Sequence, residues 1–117
     1  MLKAEQINEE LPYFTGTEHY YKYLSGLKLT DGVKFLADSC ECYWFIDIIA
    51  SYQSKVGNER LQSWNLFKDN VLDKWVVVCE DGNYKKLVRQ EIGYSDFPLE
   101  RIDVWVSNGV VMLKSEY

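Results

Sequence analysis

The only histidine of the chain, His19, stands in FTGTEHYYKYL (Phe14 to Leu24), next to Glu18 and among two threonines and a run of tyrosines. A histidine and a carboxylate within reach of each other can move a proton. Neighbours on a helix, however, point about 100° apart and do not face each other. Thr15-Gly16-Thr17-Glu18 also has the form of a capping box, S/T-x-x-E, with Thr15 as N-cap. Phe14 and His19 then take the two positions of a hydrophobic staple. This reading assigns the stretch to a helix start and gives it no catalytic residue.

Three cysteines, Cys40, Cys42 and Cys79, could join His19 in a zinc site of three thiolates and one imidazole. Their spacing matches no common finger, and thiols two residues apart on a helix diverge by about 200°. The expectation is three buried, apolar thiols, no metal and no cofactor. Asp47 is the single charge in CYWFIDIIASYQ. A carboxylate in an apolar helix is costly unless it is hydrogen-bonded. Asp47 is therefore expected to be buried and to accept from a Tyr, Ser or Trp side chain, or else to line an aromatic pocket with Tyr43. The sequence has no GxGxxG, P-loop, HExxH, GxSxG or CxxC motif.

The elements that must position these groups divide into a helical front and a β-rich back. Residues 3–10 read as a polar helix stopped near Pro12. A second helix is expected over 16–25, ended by Gly26. A third begins at Thr30, a good N-cap, with Asp31 in its first turn. Its apolar period runs through Val33, Leu36, Ala37, Cys40 and Trp44 and blurs over 39–42, where a break is expected. Tyr43 to Tyr52 is apolar nearly all round and reads as the central buried helix.

After Gly57 the period becomes two. Strands are expected over 62–68, 74–80, 83–92, 101–107 and 110–115, with turns at Asp81-Gly82-Asn83 and Asn108-Gly109. Helices followed by strands give an α+β fold: N-terminal helices packed on one face of a C-terminal antiparallel sheet of about five strands, in a single domain over 1–117.

The last hairpin allows the finest geometry. A two-residue Asn108-Gly109 turn pairs 107 with 110 and sets Asp103 opposite Lys114. Ile102, Val104, Val106, Val111 and Leu113 then form the core face. Asp103, Trp105, Val110, Met112 and Lys114 form the other. The apolar row Trp105, Val110 and Met112 must be covered by another part of the chain, such as the N-terminal helix or the 53–60 loop, or by a partner. A homodimer is the simplest such arrangement, because the outer strand of the hairpin could pair with its copy.

Charge narrows the partners. The net charge is −5, and residues 1–47 hold eight acids against four bases. No Lys/Arg stripe tracks a phosphate backbone, so direct nucleic-acid binding is disfavoured and a basic protein partner fits better. The longest apolar run is too short to span a bilayer. An odd cysteine count and an N-terminus without signal-peptide character lead to the expectation of a cytoplasmic protein.

FTGTEHYY, LTDGVKFLAD, YWFIDIIASYQ, DGN, YSDFPLERIDVWV and the terminal MLKSEY together resemble a family of small bacterial proteins of unknown function, met on plasmids and phages. The likeness runs from Leu11 to Tyr117. The chain departs from it in having Lys114 in place of a proline and no glycine near Glu41. The resemblance implies a mobile-element setting in a bacterial host cell. By analogy with small acidic phage proteins, it leads to a non-enzymatic binding protein, an anti-CRISPR-like inhibitor of a host defence or nucleic-acid-processing complex. Two other expectations stand beside it: a small enzyme or ligand-binding protein using an aromatic pocket around Asp47, and a structural homo-oligomer.

Overall fold

The computed structural model describes residues 2–117. Helix α1 (Ala4–Glu10) passes into a 3-10 turn, Leu11–Tyr13, that starts just ahead of Pro12. Helix α2 (Asp31–Cys40) begins after Thr30, whose hydroxyl accepts from the Val33 N–H at 3.3 Å. It ends at Glu41, which takes the left-handed conformation (φ 51°), and α3 (Tyr43–Ser51) starts afresh two residues later. The expected break thus falls on a left-handed C-terminal residue, the position that favours glycine. A short α4 (Gln53–Val56) follows.

The second expected helix does not form. Residues 16–25 instead contain a two-residue strand β1 (Tyr21–Lys22) and, beyond it, a turn over Leu24–Gly26. Thr15 is not an N-cap. The Glu18 and His19 N–H groups donate to the Asp31 carboxylate at 2.9 and 3.4 Å. The Asp31 N–H donates to Thr17 Oγ1 at 2.8 Å. A carboxylate is a stronger acceptor than a threonine hydroxyl, and a ten-residue helix is marginal without a packed apolar face. The long-range partner therefore wins over the local box. Phe14 packs on Phe35 of α2, ring centroids 5.2 Å apart, in place of the expected contact with His19.

The five expected strands are present as β3 (Gln62–Asp69), β4 (Lys74–Glu80), β5 (Lys86–Ile92), β6 (Arg101–Ser107) and β7 (Val110–Leu113). With β1 and β2 (Lys28–Leu29) they make a seven-stranded sheet in the order β1-β2-β7-β6-β3-β4-β5. The sheet is mixed, because β2 runs parallel to β7. Ser107 pairs with Val110 and Trp105 with Met112, the register the Asn108-Gly109 turn dictates; both turn residues have positive φ. The expectation of a free hairpin edge is overturned: β2 covers β7, and the sheet ends at β1 and β5.

Among the described residues, helices α1 to α4 send their buried side chains into one core on one face of the sheet. Ile7, Leu36, Phe45, Ile46 and Ile49 meet Trp64, Leu66, Val77, Val104, Val111 and Leu113 there. Gln62, 2% exposed, is the polar centre of this core. Its amide exchanges hydrogen bonds with Gln53 (2.9 and 3.0 Å), donates to the Val56 carbonyl (3.2 Å) and accepts from the Trp64 indole (2.9 Å). Every group of that network is satisfied, so it locks α4 to β3 at little cost. Among the described residues no helix is long and apolar enough to cross a membrane.

Candidate functional site

Among the described residues, the opposite face of the sheet carries no helix. Strand register places its side chains in rows. Met112 lies beside Trp105, Trp105 beside Ser63, and Ser63 beside Glu80; Asp103 lies beside Asn65, and Asn65 beside Val78. Trp105, Val110, Met112 and Asp103 are thus brought together on this face, as the period-two pattern requires, and all four are partly buried. The 53–60 loop reaches the edge of this face, where the Ser107 hydroxyl, beside Val110, donates to the Arg60 carbonyl at 3.4 Å. The cover that the structure gives is the C-terminal turn. The Tyr117 ring meets Trp105 edge-on at 5.0 Å, and Lys114 Nζ stands 5.9 Å from the Trp105 ring centroid.

Trp105, Asp103 and Lys114 line a groove of about 440 Å3, together with Leu61, Ser63, Asn65, Glu80, Arg101 and Tyr84. Three of its charges form one cluster around Asp103. Asp103 accepts from Arg101 at 3.0 Å and from Lys114 at 3.3 Å, the cross-strand contact expected from the hairpin. Glu80 accepts from Asn65 at 3.5 Å. Arg101, Asn65, Glu80 and Tyr84 were not legible as site residues, because β3 and β4 join the hairpin only through the strand order. The groove offers a half-covered indole, an 86% exposed tyrosine and charges of both signs in a shallow trough. That combination suits a polypeptide surface, in which aromatic anchors sit inside a polar rim.

Asp47 and Tyr43 lie elsewhere, on the outer side of α3. Asp47 is exposed, contrary to its expected burial, and it accepts from the Tyr23 hydroxyl. The helix leaves one narrow stripe in water, and position 47 falls on it. Burial and the bond to Asp47 hold the Tyr23 hydroxyl above the usual phenol range. Tyr23 stacks with Tyr43 at 6.1 Å, and Tyr43 donates to Asp38, which also holds Lys34 at 2.8 Å. The hydrogen bond to Asp38 pushes the Lys34 ammonium up, and that from Lys34 pulls the Asp38 carboxyl down. Neither Asp47 nor Tyr43 lines the groove on the sheet face.

His19 and Glu18 sit at the N-terminus of α2, where three separated stretches converge. His19 Nδ1 lies 3.6 Å from Asp31, and Tyr21 donates to the same carboxylate at 3.1 Å. From the other end of the chain, Glu116 accepts from Thr30 Oγ1 (2.6 Å), the Gly32 N–H (3.0 Å) and the Leu113 N–H (3.0 Å). Two carboxylates thus satisfy donors around a helix N-terminus, where negative charge is favoured. The arrangement orders the fold, and each of these carboxylate oxygens is already engaged.

Cys40, Cys42 and Cys79 are buried and unbridged. Burial pushes the Cys79 thiol up to about 12. Among the described residues no three His, Cys, Asp or Glu side chains converge as metal ligands.

A family described as "Family of unknown function (DUF6876)" matches the chain over residues 5–117. No curated protein and no solved structure matches it.

Proposed function

The chain belongs to this family of unknown function, and we propose that it works as a non-enzymatic protein-binding module whose partner docks on the helix-free face of the sheet. The observation that supports this reading is the row Trp105, Met112 and Val110, set beside a groove that holds the Arg101–Asp103–Lys114 cluster and left, among the described residues, without a helix to cover it. Burying roughly 300 Å2 of apolar surface on this row is worth about 7 kcal/mol gross. Association costs an estimated ~4–15 kcal/mol. The row therefore acts as the centre of a larger interface, with Arg101, Asp103, Lys114 and Glu80 in its rim. The mobile-element setting that the resemblance implies makes a bacterial defence or nucleic-acid-processing complex the partner class, and the module an inhibitor that acts by occupying it. The acidic N-terminal half supports a basic surface on that partner.

The test is affinity capture from bacterial lysate with wild type, Trp105→Ala and Arg101→Glu. All three should melt within a few degrees of one another, and the two variants should lose a protein that wild type retains. Equal retention by all three removes the reading. A large stability loss in Trp105→Ala with retention unchanged makes the indole a packing residue.

A further inference from the structure

Strand β5 ends the sheet at its long edge. Apart from its ladder with β4, no backbone hydrogen bond among the described residues reaches residues 86–92. A seven-residue open edge is a template for another strand. Natural edges discourage pairing with charged side chains, and the charges on this edge are of both signs. Arg89 and Glu91 are exposed on the helix-free face and flank Gln90, with 3.6 Å between guanidinium and carboxylate.

We propose that β5 pairs antiparallel with β5 of a second copy about a two-fold axis at Gln90, joining the two sheets into one. The occupant follows from register. A two-fold axis normal to the sheet keeps the helices of both copies on the same side, so like faces must meet and only registers centred on a residue are allowed. Centring on Arg89 sets two guanidinium groups opposite each other, and centring on Glu91 sets two carboxylates opposite each other. Centring on Val88 would carry the pairing through the irregularity between Val88 and Lys86 and leaves Arg89 without Glu91 opposite it. Centring on Gln90 sets Arg89 of each copy opposite Glu91 of the other, twice, and Val88 opposite Ile92. Attraction across the strands selects this register and repulsion removes its neighbours.

Two further observations fit the same axis. The irregularity in the β4–β5 ladder lies at Cys79/Glu80, toward Lys86, and leaves Val88–Ile92 in regular register. The Gln90 Oε1 accepts from Tyr52 at 2.8 Å, whereas its amide nitrogen has no partner among the described residues. Two-fold-related glutamines can donate to each other. The interface is one strand wide, so the dimer is weak and forms in the micromolar range or above.

A charge-swap series tests this on the full chain by sedimentation, in low salt and across a concentration series into the high micromolar range. Wild type should dimerise, and added salt should weaken it. Arg89→Glu and Glu91→Arg, both exposed and expected to melt like wild type, should each weaken self-association by at least about tenfold. An equimolar mixture of the two variants should restore dimerisation to about the wild-type level. The introduced glutamate of one variant then faces the introduced arginine of the other, and the native Glu91 of the first faces the native Arg89 of the second. Wild type monomeric throughout the series overturns the proposal. So does self-association of both single variants at wild-type strength, or a mixture that stays monomeric.

Discussion

Removing the Glu116 carboxylate should uncouple the C-terminus from helix α2. Its two oxygens accept three hydrogen bonds: from Thr30 Oγ1, from the Gly32 N–H and from the Leu113 N–H, at 2.6, 3.0 and 3.0 Å. Gly32 is buried and belongs to the first turn, where α2 has no carbonyl of its own to offer its N–H. A hydrogen bond to a charged group contributes about 1.5–3 kcal/mol, and such terms do not add fully. A carboxylate at a helix N-terminus contributes about 0.3–1 kcal/mol more. Glu116→Ala should therefore cost about 3 kcal/mol, and Glu116→Gln about 1–2 kcal/mol, because the amide keeps one acceptor and turns a donor toward another donor. Urea denaturation followed by tryptophan fluorescence measures both. The same carboxylate explains Gly32: a Cβ there would lie 2.5 Å from Glu116 Oε1 and 2.7 Å from Leu113 Cδ1. In a helix, alanine normally stabilises by about 1 kcal/mol over glycine. Gly32→Ala should instead destabilise, and by less in the Glu116→Ala background than alone. A Glu116→Ala protein within about 0.5 kcal/mol of wild type, the scale of ordinary surface changes, or a stabilising Gly32→Ala, refutes the reasoning.

Asp31 should make stability acid-sensitive. The Glu18 N–H, and then the Tyr21 and other donors, hold its carboxyl below its ordinary value of 3.8. A depressed folded-state pKa stabilises above the unfolded-state value and loses that contribution as pH falls through the folded-state value; wild type should thus exceed Asp31→Asn at neutral pH and converge with it in acid, as read from melting temperatures. Glu41→Gly should stabilise by about 1 kcal/mol, since the residue holds a left-handed φ of 51° that glycine adopts without strain; chemical denaturation reads it. Asp47→Ala should cost no more than about 1 kcal/mol, because the side chain is exposed and makes one hydrogen bond, and a loss of about 3 kcal/mol would contradict its position. Gln62→Met should cost about 1–3 kcal/mol by leaving the buried Trp64 indole N–H without an acceptor, measured in the same denaturation assay.

Local pattern was enough for several elements. The period of two found all five long strands, and Asn108-Gly109 set the hairpin register down to the Asp103–Lys114 contact, because a two-residue turn leaves the strands no freedom to slip. Thr30 marked the start of α2 and the blurred pattern at 39–42 its end, since caps and breaks act within one helical turn. The α+β class followed from the order of these elements.

Tertiary structure decided whatever depended on a distant partner. FTGTEH carries a capping box, yet the Asp31 carboxylate takes the amides of Glu18 and His19 and leaves an extended segment. β1 and β2 have two residues each, too few to show a period, and the parallel β2–β7 pairing that covers the hairpin edge joins residues about eighty positions apart. Asp47 looked buried because its neighbours are apolar, but a helix packed on one side leaves a stripe in water whatever its mean hydropathy. The candidate groove depends on β6 lying beside β3 and β3 beside β4, which brings Asn65 and Glu80 to Trp105 and Arg101. Strand order is set by which arrangement buries the most apolar surface over the whole chain. That sum is taken in three dimensions, and no window of sequence contains it.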